Sequence, residues 1–287
     1  MSNFQPVNCP ICQAKSQLFT RVRDTQYFEC FQCDFIFADP DVLKRLDAGE
    51  PIRPYDASYW KSELASARER AYGPALARVA EALLYARKPV MRFIDIYGGP
   101  GYLLDAITRY LPQAADRFVS VELFPPSPEL RTKHPNYFIG SLGSVRGSFQ
   151  AGLCMEVVEH LTPAMVKKLA FDLAAVSDPE ACYLFNTGLT TYVKAEDPAY
   201  VDPYVRGHVT IWSVSAARKI FEPAGFTVYP IRGKTWCFLA EYQSRTENLD
   251  WVNERVWSAH PSNKALLADP SNGSLMYVLG IETSRTR

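Results

Sequence analysis

The sequence has no long apolar run and no excess of charge of either sign. Nowhere among its 287 residues do about 18 apolar residues follow one another, as a membrane-spanning helix requires. We therefore expect neither a membrane span nor a secretory signal peptide. Lysine plus arginine and aspartate plus glutamate both number 31, so no net charge attracts a polyanion such as nucleic acid. These features favour a soluble, cytoplasmic protein that does not bind nucleic acid.

Internal repeats and low-complexity tracts are also absent, and the composition changes in three steps along the chain. A head rich in cysteine and phenylalanine is followed by a helical stretch and then by alternating strand and helix signals. The predicted division is therefore a small domain at 1–41, a helical connector at 42–89 and a large domain at 90–287. Gly73–Pro74 predicts a break in the connector, which we expect to form two helices in series.

Apolar runs and helical periodicities alternate after residue 90. This alternation predicts an α/β fold with a mostly parallel sheet that helices cover on both faces. At 249–256 the sequence is amphipathic, and 275–281 is a last strand candidate. The predicted strands lie at 90–96, 118–123, 137–139, 149–155, 182–185 and 226–231, and the helices at 101–111, from Thr162–Pro163 onward, and at 213–221.

Four of the seven cysteines form two C-x-x-C pairs that are separated by 17 residues. Two such pairs can place four thiolates at the corners of a tetrahedron, so the spacing predicts a closed structural metal site, with zinc as the metal. A closed site leaves no open position on the metal, so its role is folding rather than chemistry. The four cysteines are Cys9, Cys12, Cys30 and Cys33.

The residues around these pairs predict a zinc ribbon. Leu18–Phe19 and Tyr27–Phe28 favour a small β-hairpin between the pairs, and residues 35–37 follow as an apolar plug. Many knuckles have glycine after the second cysteine, whereas Gln13 and Asp34 stand there in this chain. Aspartate tolerates the left-handed backbone conformation of that position better than glutamine does.

A glycine-rich turn follows the first apolar strand. Gly98, Gly99 and Gly101 let the backbone approach a ligand closely, and the helix that begins there offers unpaired N–H groups. Glu122 ends the next apolar run, about 20 residues further on, where an acid can accept hydrogen bonds from both ribose hydroxyls. The two features indicate an adenosine-containing ligand. They leave the reaction open, because nicotinamide enzymes share the arrangement.

Several segments, in this order, resemble motifs of the class I S-adenosylmethionine-dependent methyltransferases. DIYGGPG at 95–101 resembles the first motif, DIGxGxG, and MEVVEHL at 155–161 resembles the fourth-strand motif that ends in EHL. The segment 207–226 is similar to a late segment of the small-molecule members. The head, with residues 35–60, resembles members with a zinc ribbon that are often associated with sugar and surface-glycan modification. The resemblance covers nearly the whole chain and implies a Rossmann-like catalytic domain.

This resemblance implies a methyltransferase that uses S-adenosylmethionine and acts on a small-molecule or glycan-linked acceptor. Asp95 and the loop glycines would hold the methionine end, Glu122 the ribose, and Ser141–Leu142 would lie beside the adenine. Tyr97 departs from the motif, which has glycine there, and Ser141 stands where the family more often has aspartate. The implied cofactor-binding residues are Asp95, Gly98, Gly99, Gly101, Glu122, Ser141, Leu142, Met155 and Glu156.

Two histidines are candidates for a general base. His208 lies in the polar loop 202–209 and is the better candidate, with a solvated loop histidine as the alternative. His160 follows the fourth strand, and we favour a bracing role for it over a role as base. Glu156 and Glu159 flank the same strand end, where carboxylates also stabilise the start of a helix.

Two other functions stay open at this point. An RNA methyltransferase could use the ribbon to contact nucleic acid, but only Lys15, Arg21 and Arg23 supply positive charge between the outer cysteines. A non-catalytic, methyltransferase-like scaffold is favoured by Tyr97, whose bulk could crowd the methionine moiety. The sequence leaves the oligomeric state open.

Overall fold

The structure, a computed structural model, describes residues 7–245 and 251–268. The predicted strand at 275–281 and the start of the amphipathic segment at 249–256 lie outside these residues. The strands are β1 (Val7–Asn8), β2 (Lys15–Val22), β3 (Thr25–Cys30), β4 (Phe35–Ala38), β5 (Phe93–Ile96), β6 (Phe118–Glu122), β7 (Tyr137–Ile139), β8 (Phe149–Met155), β9 (Ser177–Asn186), β10 (Thr210–Ile211), β11 (Phe226–Pro230) and β12 (Cys237–Tyr242). The helices are α1 (Pro40–Asp47), α2 (Ala57–Tyr72), α3 (Pro74–Tyr85), α4 (Tyr102–Tyr110), α5 (Pro163–Ala175), α6 (Thr190–Ala195), α7 (Val214–Phe221), α8 (Trp251–Glu254) and α9 (Pro261–Ala268).

Seven strands form one sheet in the order β11-β12-β9-β8-β5-β6-β7. β5 lies between β6 and β8 and pairs with both in parallel, and β6 pairs in parallel with β7. The predicted α/β fold, a mostly parallel sheet flanked by helices, is confirmed. Because parallel strands end at the same edge of a sheet, the segments after β5 and β6 emerge side by side.

A second sheet has the order β1-β2-β3-β4-β10. β2 and β3 form the predicted antiparallel hairpin, with a register shift between Leu18 and Thr20. The apolar segment Phe35–Ala38 is fully buried as β4, which pairs with β3 on one side and with β10 on the other. The predicted apolar plug is therefore an interior strand of this sheet.

Sequence patterns predicted the early elements better than the late ones. Gly73 separates α2 from α3 as expected, because Pro74 begins the second helix. β9 begins five residues before the predicted strand at 182–185. The prediction missed this first half because it is polar. β12, α6 and β10 were not predicted, and β10 directly follows the segment that we expected to be a polar loop.

The chain divides into two compact units, each made of separate segments. The first contains the chain up to Pro54 together with Glu156–Ala174 and Phe185–Ala240. The second contains Tyr55–Met155, Ala175–Leu184 and the chain from Glu241 onward. The division predicted from composition, at residues 41 and 89, stays a prediction.

Helices α2, α3 and α4 pack together in the second unit. The buried face of α3 contains Leu76, Val79 and Leu83, at the spacing of one side of a helix. Within the described ranges, no helix combines the length and the apolar character that crossing a bilayer requires.

Candidate cofactor site and carboxylate–histidine cluster

The turn between β5 and α4 needs glycine for its close packing. A Cβ atom at Gly98 would overlap the carboxyl group of Asp95 and the hydroxyl group of Ser120. The backbone N–H of Gly98 donates to the carbonyl of Val121 in the neighbouring strand, at 3.3 Å. The turn is thus held against the ends of both β5 and β6, as the sequence predicted for a loop that opens a helix.

Glu122 fixes the turn from the end of β6. Its Oε2 accepts the backbone N–H of Gly99 at 2.7 Å, and its Oε1 accepts the N–H of Phe124 at 2.8 Å. Each carboxylate oxygen can accept a second hydrogen bond. The side chain is therefore both oriented by the backbone and able to accept further donors such as ribose hydroxyls.

Aromatic side chains surround the remaining glycines of the turn. The hydroxyl of Tyr137 donates to the carbonyl of Gly99 at 2.6 Å, and a Cβ at Gly101 would overlap the Tyr137 ring. The Trp60 ring lies 3.3 Å from the position of a Cβ at Gly99. Nε1 of Trp60 is buried and has no hydrogen-bond partner among the described residues. The sequence gave no indication that Trp60 or Tyr137 contacts this turn, because both residues are far from it along the chain.

Tyr97 occupies the position of the first glycine in the family motif. Its φ is 57°, in the left-handed region, and the φ values of Gly99 and Gly101 are also positive. A residue other than glycine in this conformation costs about 1–2 kcal/mol. The chain therefore keeps the backbone conformation that glycine would adopt there, and Tyr97 carries its strain.

The other residues implied for the cofactor lie at ends of strands or in short turns. Leu142 is fully buried in a turn that follows β7, and Ser141 precedes it with partial exposure. Met155 is the last residue of β8 and is half-buried. Asp95 and Glu122 are both only 6% exposed.

Burial changes the proton affinity of both acids at the turn. It raises the pKa of Asp95 to about 7, against which the hydrogen bond from Ser120 Oγ (3.0 Å) acts. The pKa of Glu122 is raised by burial as well, and the N–H groups of Phe124 and Gly99 limit the rise. Near neutral pH, Asp95 therefore changes its charge with small changes in its surroundings.

A second group of polar residues lies in the other unit, directly after β8. Glu156 has a φ of 54°, and its N–H donates to the carbonyl of Asn186 at 2.9 Å. The side-chain amide of Asn186 donates to Oε1 of Glu156 at 2.7 Å. Strained backbone of this kind concentrates at functional sites. Asn186, which sequence reasoning missed, ends β9.

Tyr200 joins the two glutamates of this group. Its hydroxyl donates to Oε1 of Glu159 at 2.8 Å, lies 3.4 Å from Oε2 of Glu156 and accepts the N–H of Gly188. Burial and the charge of Glu159 raise the pKa of Glu156 to about 8. Burial also raises the pKa of Glu159, which is completely buried.

The two candidate bases lie in the same unit and contact each other. The rings of His160 and His208 meet edge to face, with centroids 4.9 Å apart. Nδ1 of His160 is 3.1 Å from the carbonyl oxygen of Gly207, and Nδ1 of His208 is 2.7 Å from that of Tyr200. Burial lowers the pKa of both, that of His208 to about 2, so both imidazoles are neutral at pH 7.

The four predicted zinc ligands come together in the first unit. Their sulfur atoms all lie within 4.8 Å of one another, and three of the four side chains are buried. Gln13 and Asp34 have φ values of 64° and 50°, so both knuckles take the left-handed turn without glycine. The hydroxyl of Ser213 donates to the carbonyl of Cys33 at 2.8 Å and fixes the second knuckle. The residues present fit a tetrahedral zinc ion.

No protein-family model and no curated protein sequence matches this chain. Among solved structures it is similar to an amino pentose methyltransferase from Micromonospora echinaspora, with 16% identity, a TM-score of 0.46, and coverage of 66% of this chain and 98% of that one. It is also similar to DesVI from Streptomyces venezuelae (12%, TM-score 0.48, coverage 66% and 99%). A third is an O-methyltransferase family protein from Burkholderia thailandensis (14%, TM-score 0.46), of which the match spans only 59%, against 66% of this chain. None of these likenesses identifies the function of this chain.

Proposed function

We propose that the chain is a methyltransferase that uses S-adenosylmethionine. The observation that carries the proposal is the turn after β5, which is closed by Glu122 and packed so tightly that a Cβ at Gly98 would overlap Asp95. This packing fixes the turn against the strand ends, and the acid that it orients at the end of β6 suits a ribose. The resemblance of 95–101 and 155–161 to methyltransferase motifs selects this cofactor among the adenosine-containing ones.

In this proposal each cofactor-binding residue keeps the role that the resemblance implies. Asp95 and the glycines face the methionine end, Glu122 accepts from the ribose, and Ser141–Leu142 flank the adenine. Tyr97 fits, because it has the backbone conformation of the glycine that it replaces. The full set is Asp95, Gly98, Gly99, Gly101, Glu122, Ser141, Leu142, Met155 and Glu156.

When bound, S-adenosylmethionine supplies a methyl group on a sulfonium that a nucleophile displaces in line. The protein aligns the reactants and excludes water, and alignment alone can lower the barrier by about 7–11 kcal/mol. His208 and His160 are the proposed groups that accept the acceptor's proton. Burial lowers the pKa of both, which keeps them unprotonated at pH 7 and also makes them weaker bases than a free histidine. Both Nδ1 atoms lie near carbonyl oxygens, which favours proton acceptance at Nε2.

The acceptor is proposed to be a small molecule or a glycan-linked group, by resemblance to zinc-ribbon members. A structural zinc ion held by Cys9, Cys12, Cys30 and Cys33 would stabilise the ribbon. None of the seven cysteines forms a disulfide, which suits the proposed location in the reducing cytoplasm. Nucleic acid is not among the proposed partners, because the chain has no net positive charge.

Calorimetric titration with S-adenosylmethionine and S-adenosylhomocysteine tests the proposal. We expect micromolar binding of both, weakened about 10- to 100-fold in Glu122→Ala, since hydrogen bonds to a charged group contribute about 1.5–3 kcal/mol. Glu129→Ala is the matched control, because that glutamate is exposed and bonds only locally to Ser127. No heat with either ligand, in a folded and zinc-loaded sample, would instead support the non-catalytic scaffold.

A further inference from the structure

Glu159, His160 and His208 form a cluster inside the first unit. One ligand atom of each, a carboxylate oxygen or a ring nitrogen, lies within 4.8 Å of those of the other two. Glu159 and His160 come from the turn after β8, and His208 comes from the segment before β10. Glu159 is completely buried and His208 is 5% exposed. The cluster therefore brings two segments together around one carboxylate and two imidazoles.

Each imidazole of the cluster has its Nδ1 beside a backbone carbonyl oxygen. The partners are Gly207 for His160, at 3.1 Å, and Tyr200 for His208, at 2.7 Å. An Nδ1–H that donates to a carbonyl sets the tautomer in which Nε2 carries the lone pair, and metal-binding histidines almost always have such an outer partner.

The carboxyl group of Glu159 faces the side chains of Tyr200, Glu156 and Thr187, but its two oxygens differ in their hydrogen bonds. Oε1 accepts the hydroxyl of Tyr200 at 2.8 Å, whereas Oε2 is buried and makes no hydrogen bond of normal geometry to a described residue. A buried polar atom without a partner costs about 1–3 kcal/mol, and more when the group is charged. A cation would satisfy this oxygen.

We propose that Glu159, His160 and His208 bind a divalent first-row transition ion such as Mn²⁺ or Fe²⁺. Two imidazoles and one carboxylate on a shared side of an ion leave further coordination positions open. This donor set is distinct from the four thiolates of the ribbon, which suit zinc and not manganese.

The consequence for catalysis rests on the proposed methyltransferase function. An acceptor hydroxyl that coordinates at an open position would have a lowered pKa and lose its proton to water at neutral pH. The histidines would then act as ligands and not as bases. Binding of the ion itself requires no methyl donor.

Titration of the full-length, zinc-loaded protein with Mn²⁺ tests the site, with free Mn²⁺ measured by electron paramagnetic resonance. We expect about one bound Mn²⁺ per chain, and a loss of affinity of at least about tenfold in His208→Gln and in His160→Gln. His260→Gln is the matched control, because its Nδ1 only accepts a local backbone N–H from Ser262. Far-ultraviolet circular dichroism and zinc content check that each variant is folded.

Co²⁺ added to the zinc-loaded protein gives a second readout. We expect the bound Co²⁺ to absorb visible light but to show no thiolate-to-cobalt charge-transfer band, because the proposed ligands contain no sulfur. Absence of Mn²⁺ and Co²⁺ binding by the folded protein, or equal binding by the wild type and the foldable histidine variants, would overturn the proposal. Should His208→Gln not fold, His160→Gln decides, because its ring is partly exposed.

Titration with S-adenosylhomocysteine, done separately, keeps the two proposals apart. Mn²⁺ binding without cofactor binding would support the ion site and contradict the methyltransferase function. Cofactor binding without Mn²⁺ or Co²⁺ binding would support the methyltransferase function and contradict the ion site. The histidines would then keep the proposed role of general base.

Discussion

Gly98 shows at the scale of one residue why the turn cannot carry a side chain. The Gly98→Ala variant would press a methyl group into the Asp95 carboxyl and the Ser120 hydroxyl. Overpacking of this kind costs about 1–3 kcal/mol, and a displaced turn would also bind S-adenosylhomocysteine more weakly. Denaturant unfolding and calorimetry measure the two effects.

Gly49→Ala is the control for this substitution. Its φ of 84° strains the alanine, but an added Cβ meets nothing within 4 Å. It should lose about 1 kcal/mol from the backbone alone and keep full cofactor affinity. Equal affinity in Gly98→Ala and the wild type would show that the turn does not bind the cofactor.

Asp95 predicts a dependence of stability on pH. Burial raises its folded-state pKa from 3.8 to about 7, so the folded protein holds a proton that the unfolded chain releases. This contribution to the free energy of unfolding is complete below pH 3.8 and is lost as the pH rises through about 7. Urea unfolding at pH 5 and pH 8 should therefore show a larger fall in stability for the wild type than for Asp95→Asn. Identical falls would contradict the assignment.

Residue patterns predicted local geometry and missed distant partners. The two cysteine pairs do come together, and the backbone takes the left-handed turn at Gln13 and Asp34, while the zinc ribbon stays a prediction. Trp60 packs beside Gly99, 39 residues further along the chain. Asn186 donates a hydrogen bond to Glu156, which lies 30 residues before it. Such contacts follow from tertiary packing, which leaves no periodicity in the sequence.

At the scale of the elements, a buried cluster of charged side chains joins distant segments of the second unit. Glu241 of β12 is completely buried and contacts Arg255, at 2.8 Å, and Arg87, at 2.9 Å. Arg255 itself is only 2% exposed. Arg255→Ala should reduce the free energy of unfolding by about 3–5 kcal/mol, because it leaves a buried charge less well compensated.

Arg245→Ala is the comparison for this cluster. Its side chain is 78% exposed and lies 3.6 Å from Glu180, so its removal should cost about 1 kcal/mol or less. Chemical unfolding of both variants measures the difference. A cost for Arg255→Ala no greater than that for Arg245→Ala would show that the cluster does not stabilise the C-terminal elements.

Strand prediction failed where polarity or context outweighed the local pattern. β9 begins with Ser177, Asp178 and Pro179, residues that rarely form strands, and only its apolar second half was recognised. The two-residue strand β10 forms because β4 offers it a partner, which a local pattern cannot reveal. The parallel core at β5, β6 and β8 was predicted because continuous apolar runs are typical of buried parallel strands.

At the scale of the whole molecule, the proposed zinc ribbon should depend on its metal. Zinc-thiolate binding contributes about 10–16 kcal/mol in isolated zinc modules, so its loss should unfold the β2–β3 hairpin and lower the thermal midpoint. Metal analysis should find one zinc equivalent that Cys12→Ser loses and Cys182→Ala keeps, since Cys182 is buried in β9 outside the cluster. Zinc retained by Cys12→Ser would contradict the four-thiolate site.

Hydrogen–deuterium exchange with and without S-adenosylhomocysteine tests the central claim most directly, because it locates the ligand on the chain. We predict protection of the amides in 97–104 and 122–124, the turn after β5 and the end of β6, with no protection in the β2–β3 hairpin. Protection confined to other segments, or none at saturating ligand, would contradict the cofactor site and with it the proposed methyltransferase.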